Sequence, residues 1–194
     1  MEPGAEKTSR KPRADSLRNR ERLLCAARAV FGEGGSEASL EAVARHAGVG
    51  IGTLYRHFPT REALFQAVYR SEVDDLVALA ARLADDPDPA EALRQWLHAQ
   101  AGVVATKRGM LAALAPAPES ARQLYADSRA RTIAAIDGLM RRAQAAGAIR
   151  ADLGAEEVLH ALIGICYARD HPDWQRSTAR LLDVLVDGLR PRAG

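Results

Sequence analysis

The chain has 194 residues, room for one or two domains, and its 47% hydrophobic and 27% charged side chains suit a globular protein with a core. Aromatic residues supply only 5%, so that core must rest on Ala, Leu and Val. No run approaches the ~18 apolar residues of a membrane span. The N-terminus has no apolar signal core, and Cys25 and Cys166 lack zinc-ligand spacing, so a cytoplasmic protein without metal or cofactor is expected.

The net charge of +2 is unevenly spread. Residues 7 to 28 carry 8 basic and 2 acidic side chains, a balance of +6, whereas residues 63 to 194 carry 16 and 17, a balance of −1. A basic N-terminal end suits a polyanionic partner, although the same charge on a solvated tail would only aid solubility. Residues 1–14 mix prolines, glycine and charges, and a disordered basic arm is expected there. Arg10, Lys11 and Arg13 are placed to follow a DNA minor groove.

The first helix is predicted to begin near Asp15 or Ser16 and to turn Leu23, Leu24, Ala27, Val30 and Phe31 inward, with Cys25 buried on the same face. Gly32, Gly34 and Gly35 stop it. Ser39 caps a second helix carrying Leu40, Val43, Ala44 and Ala47, and Gly48 closes it. A third, short helix starts near Gly50 and ends where Pro59 biases Phe58 out of helical geometry. Thr60 then caps a fourth. Two helices joined by such a tight turn form a helix-turn-helix, whose second helix enters the major groove. Leu54 and Phe58 brace it from within, leaving Thr53, Tyr55, Arg56 and His57 toward DNA. Gly50 and Gly52 allow close approach to the DNA backbone, and Arg61 is a phosphate candidate. Ser39, at the head of the unit, belongs with this DNA-binding set.

The stretch Leu40 to Leu64 resembles the DNA-binding signature of the tetracycline-repressor (TetR) family: Leu40-Glu-Ala-Val43-Ala44, Ala47-Gly48-Val49, Gly52-Thr53-Leu54-Tyr55, His57-Phe58 and Arg61-Glu62-Ala-Leu64. The resemblance implies a dimeric, all-helical regulator, with an N-terminal DNA-binding domain and a C-terminal domain for ligand binding and dimerisation. It carries Thr53, Tyr55, His57 and Arg61 over as DNA-contacting positions. Two residues depart from the family pattern: Gly50 stands where a serine cap is usual, and Arg61 where lysine is usual.

Beyond residue 60 six more helices are predicted, about nine in all, in an all-α fold divided into an arm (1–14), a helix-turn-helix domain (15–60) and an effector and dimerisation domain (61–194). The fourth helix runs from Arg61 to about Ala84, and Asp85-Asp86-Pro87-Asp88-Pro89 breaks the chain. The fifth carries Leu93, Trp96, Leu97, Gln100, Val103 and Val104 and stops at a turn over Lys107-Arg108-Gly109. A short sixth contains Met110, Leu111 and Leu114, and a seventh runs from about Glu119 to Ala146.

The eighth helix carries Val158, Leu159, Leu162, Ile163 and Cys166, and the ninth Thr178, Leu181, Leu182, Leu185, Val186 and Leu189. Their stripes can complete a monomer core. The resemblance implies instead that they pair with their copies across a two-fold, which predicts a palindromic operator. An apolar effector cavity is expected among the fourth to eighth helices. Its candidate lining from the earlier helices is Leu79, Leu83, Trp96, Gln100 and Val104. Met110, Leu114, Tyr125, Arg129, Ile133 and Tyr167 complete the set.

The expected function is a DNA-binding transcriptional regulator: a repressor that binds its double-stranded operator as a homodimer and is released by a small-molecule effector. An activator of the same family is the alternative; a helical small-molecule-binding protein without DNA binding is disfavoured by the basic arm and the intact Thr53-Leu54-Tyr55. An enzyme is disfavoured, because the five histidines are scattered and no HExxH, nucleophile elbow or phosphate loop occurs.

Overall fold

The computed structural model describes residues 10–33, 38–113, 120–167 and 174–191. Among these the chain is all-helical, with eight helices and no strand: α1 (Arg10–Glu33), α2 (Leu40–Ala47), α3 (Ile51–His57), α4 (Arg61–Leu83), α5 (Pro89–Ala113), α6 (Ser120–Ala145), α7 (Ala155–Tyr167) and α8 (Trp174–Gly188).

Two apolar cores are mounted on this frame. The N-terminal core gathers Leu23, Ala27 and Phe31 of α1, Leu40 and Val43 of α2, and Leu54 and Phe58 of the recognition segment. It also takes Leu64, Phe65 and Val68 from the start of α4 and Met110 from α5. The C-terminal core holds Leu76, Ala80 and Leu83 of α4, Leu93, Trp96 and Leu97 of α5, and inward residues of α6, α7 and α8. Thus α4 and α5 each enter both cores. Trp96 is fully buried, and its indole N–H donates to the Leu76 carbonyl at 3.0 Å, which satisfies the polar end of an otherwise apolar side chain.

Several expectations are corrected. Lys107-Arg108-Gly109 is not a turn, and α5 continues through it, so the described chain has eight helices where nine were expected. Gly109 serves a different need. A Cβ there would stand 1.8 Å from the Phe31 carbonyl oxygen, so glycine is what lets the end of α1 press backbone to backbone on α5. The first helix begins at Arg10, ahead of the expected Asp15 or Ser16. Pro12 does not prevent this, because an N–H in the first turn has no helical partner to lose. Cys25 is exposed rather than buried. It lies two residues from both Leu23 and Ala27, about 200° around the helix from the buried face. Residues 1–9, the glycines Gly34 and Gly35, and Leu114 lie outside the described residues.

Candidate DNA interface and junction cleft

The helix-turn-helix is ordered by short-range bonds. The Ser39 hydroxyl accepts the Ala42 N–H at 3.1 Å and closes the open end of α2. At the other end Gly48 adopts φ 64, its N–H donates to the Arg45 carbonyl at 3.1 Å, and the Val49 N–H donates to the Ala44 carbonyl at 3.0 Å. This pair of bonds forms a Schellman closure, which needs the left-handed conformation that glycine adopts freely. Gly50 heads α3 without any side-chain cap bond, as its departure from serine implies. Thr60 caps α4 by accepting the Ala63 N–H at 3.1 Å.

Leu54 and Phe58 are buried, which fixes the rotation of α3 about its axis. Tyr55 and Arg56 then point outward, Thr53 and His57 are half-buried beside them, and Arg61 is exposed at the head of the next helix. The five predicted DNA-facing side chains therefore lie on one continuous segment. Around Gly50 and Gly52 nothing approaches within 4 Å of where a Cβ would be, so this surface is open. Ser39 differs from the others, since its oxygen is committed to the cap. The backbone of Arg10, Lys11 and Arg13 forms the start of α1, but their side chains lie outside the described part of the structure.

The sequence reading did not single out Arg20 and Arg22. The Arg20 guanidinium sits 5.5 Å from the centre of the Phe58 ring, and Arg22 Nη2 donates to the Gly48 carbonyl at 3.5 Å. These contacts tie the basic face of α1 to the turn and to the end of α3. Their signal was the run of arginines at positions 18, 20 and 22 on the helix preceding the motif.

Among the described residues, those expected to line an effector cavity are spread over both cores. Leu83, Trp96 and Val104 belong to the C-terminal core, with Ile133 packed against it, and Met110 belongs to the N-terminal core. Arg129 is exposed and 3.5 Å from Glu156, and Tyr167 is half-exposed beneath Arg108. Gln100 is buried, and its Oε1 has no hydrogen-bond partner among the described residues. Tyr125 joins an aromatic cluster with Phe65 and Tyr69, at centroid distances of 6.2 and 5.4 Å. The Lys107 ammonium caps this cluster, 4.3 Å from the Tyr125 ring centre and 5.4 Å from that of Tyr69. Burial lowers the Lys107 pKa and pushes the Tyr69 hydroxyl up to about 12.

A cavity of about 500 Å³ opens where α1, α4 and α5 meet, with Gln175 of α8 in its lining. Of the expected lining residues, Leu79 borders it. Leu76, Ala29, Ala99 and Val103 supply apolar wall, and Arg28, Glu72, Asp75 and Thr106 supply polar groups. Glu72 is 7% exposed, and its Oε2 has no hydrogen-bond partner among the described residues. Burial raises its pKa to about 7, against the opposing pull of the Thr106 hydroxyl and the Arg28 guanidinium. Arg28 itself crosses from α1 to α4, donating to Ser71 Oγ at 2.5 Å and pairing with Asp75 at 2.7 Å. The sequence does carry a signal for Glu72. It falls four residues after Val68 and four before Leu76, a carboxylate set into the apolar stripe of α4.

The predicted dimer stripe divides in two. Leu159, Leu162, Cys166, Leu182, Val186 and Leu189 are all at most 4% exposed within the single chain, so their side chains pack into its own core. Ile163 and Leu185 are half-buried, while Leu181 and the unpredicted Val184 are 44% and 67% exposed. The orientation of α8 is set by charge: Arg94 bonds Asp183 at 2.9 Å and Asp187 at 2.7 Å, and His98 bonds Asp183 at 3.0 Å. Among the described residues no group of three His, Cys, Asp or Glu side chains is placed to hold a metal, and no helix is long and apolar enough to cross a membrane.

Comparison with known proteins gives this arrangement a family. Residues 23–68 match the tetR family of bacterial regulatory proteins, and residues 88–191 match the C-terminal domain of SbtR-like transcriptional regulators. The crystal structure of a TetR transcriptional regulator from Streptomyces coelicolor is 45% identical, with a TM-score of 0.77 over 90% of this chain and 99% of that one. A TetR regulator from Mycobacterium vanbaalenii is 34% identical, with a TM-score of 0.70 over 92% and 99%. The HTH-type transcriptional repressor BepR of Brucella suis is 27% identical over 175 residues, 80% of this chain and 81% of that protein. An HTH-type transcriptional regulator of Staphylococcus aureus is 37% identical over 73 residues, and this match spans only 37% of the chain and 38% of that relative. The chain belongs to the TetR family of DNA-binding transcriptional regulators.

Proposed function

We propose that this regulator is a repressor that binds a palindromic operator as a homodimer and leaves it when a small-molecule effector binds. The observation that carries the reading is the sharing of α4 and α5 between the two cores. A rearrangement of the C-terminal helices then moves the helices on which α2 and α3 rest. Coupling of ~1–3 kcal/mol between the sites changes DNA affinity about 5–150-fold. Thr53, Tyr55, Arg56, His57 and Arg61 meet the DNA, with the basic start of α1 along its backbone. The outward face of α8, from Leu181 through Val184 to Leu185, meets its copy, helped by Ile163 of α7. Repression rather than activation takes its support from BepR, a relative named as a repressor. The protein works in the cytoplasm, where its operator is.

The test is selection of bound duplexes from fragmented genomic DNA by the purified full chain at physiological salt. A single inverted-repeat motif with half-sites about one helical turn apart, or a multiple of that, supports the reading. Recovery of only salt-sensitive, sequence-independent DNA overturns it.

A further inference from the structure

The cleft between α1, α4 and α5 has an apolar wall, a volume within the range of small-molecule sites, and one acceptor that nothing in the described protein satisfies. We propose that it binds a small organic cation, a protonated amine on a compact apolar body, with the ammonium on the Glu72 carboxylate. Its effect on DNA rests on the ligand-responsive reading above; the binding itself does not.

The polar inventory of the cleft selects this class. A buried carboxylate is costly unless a donor or a cation meets it. Arg28 makes no hydrogen bond to it: its Nη2 goes to Ser71 and Asp75 on α4, and its Nε is buried without a hydrogen-bond partner among the described residues. Asp75 is balanced by the same pair. Arg82 also borders the cleft, but it is exposed and ten residues further along α4, about 15 Å from Glu72 by helical rise. The inner end therefore lacks a donor on Glu72 Oε2. An anion there would face Glu72 directly, and a neutral apolar ligand would bury the carboxylate still deeper without a donor. A second groove, between α4 and α6, is lined largely by alanine, and its one charged residue, Arg131, is already 2.6 Å from Asp74. It offers a ligand no comparable anchor.

The position of the site supplies a route to the reading head. Arg28 belongs to α1, the helix that braces α2 and α3, and it reaches across the cleft mouth to α4. A cation seated on Glu72 lies beside that guanidinium and repels it. The ligand thus weakens the polar link between α1 and α4 while strengthening the inner end of the cleft. Because Gly109 packs directly on the Phe31 carbonyl, a shift of α1 is also felt along α5.

Calorimetric titration of the full chain at mildly alkaline pH tests this with three probes of one shape: 2-phenylethylammonium, 2-phenylethanol and 3-phenylpropionate. The expected result is binding of the ammonium about tenfold or more tighter than of either other probe, and about tenfold weaker in Glu72→Gln. Leu79→Trp, which fills the cleft and keeps the carboxylate, should also weaken binding, and a cooperative thermal transition establishes that each variant is folded. Equal binding of the three probes, preference for the carboxylate, undiminished binding by Glu72→Gln, or no binding at millimolar ammonium overturns the site. Anisotropy of a labelled duplex from the genomic selection is then read with and without the ammonium. Release of DNA by wild type but not by Glu72→Gln supports both site and coupling. Glu72-dependent binding without release keeps the site and removes the effector role assigned to it.

Discussion

The helix-turn-helix and the junction cleft are built on opposite plans. In the first, the capping bonds join residues three to five apart: Ser39 to Ala42, Gly48 to Arg45, Val49 to Ala44, Thr60 to Ala63. Its caps at Ser39, Gly48 and Thr60 are satisfied, and its outward groups are free to meet another molecule. In the second, the bonds join residues 43 apart, from Arg28 to Ser71, and one carboxylate oxygen is left buried without a hydrogen-bond partner among the described residues. A segment held by local bonds presents its side chains in one fixed arrangement. A junction held by long-range bonds around an unsatisfied group has a second arrangement within reach whenever something satisfies that group. Reading DNA needs the first quality, and responding to a signal needs the second.

Substitutions can break this contrast, the most severe at the junction. Gly109→Ala drives a methyl into the Phe31 carbonyl and must part α1 from α5, so a loss of about 3 kcal/mol is expected in denaturant unfolding, the upper end of overpacking costs. The Glu72 carboxylate gives a pH signature next in size. Its folded pKa of about 7 exceeds the ordinary 4.5, so between these values the native state holds a proton that the unfolded chain has released. Stability therefore falls as pH rises from 4.5 to about 7 and stays low above, by up to roughly 3 kcal/mol. Melting curves across that window should show the fall in wild type and a flatter profile in Glu72→Gln. A profile that rises with pH in wild type would contradict the burial argument.

Smaller effects are expected in the reading head. Ser39→Ala removes one cap and should cost about 1 kcal/mol, with DNA affinity lowered only through the loss of fold. Gly52→Ala sharpens the contrast most. The site is open, and alanine in a helix is favoured over glycine by ~0.8–1 kcal/mol, so the melting temperature should rise. If α3 approaches the DNA backbone at this glycine, duplex affinity falls in the same variant. The same change, glycine to alanine, thus destabilises at residue 109 and stabilises at residue 52.

What was legible in the sequence divides along the same line. The caps at Ser39 and Thr60, the closure at Gly48 and the inward Leu54 and Phe58 follow from neighbours a few residues away, and the structure has them as expected. Gly109 reads as a turn because a glycine that permits a turn and one that permits contact between helices look alike until the contacting helix is known. The stripes of α7 and α8 state that a face is buried but not by what, and most of that face turned out to meet its own chain. The cleft was missed because its parts come from three helices far apart in the sequence. Only Glu72, interrupting the apolar stripe of α4, marked it locally.

The seating of Met110 in the N-terminal core has a consequence for modular exchange. Reading heads are natural parts to transplant between regulators, and residue 60, just before α4, is the obvious place to cut. A head cut there leaves behind Leu64, Phe65, Val68 and Met110, all of which its core uses, together with the glycine against which α1 rests. The seam between the parts is therefore not a point on the chain but a surface. A transplanted head needs a host whose fifth helix carries a matching side chain and a matching glycine fifty residues downstream of the cut.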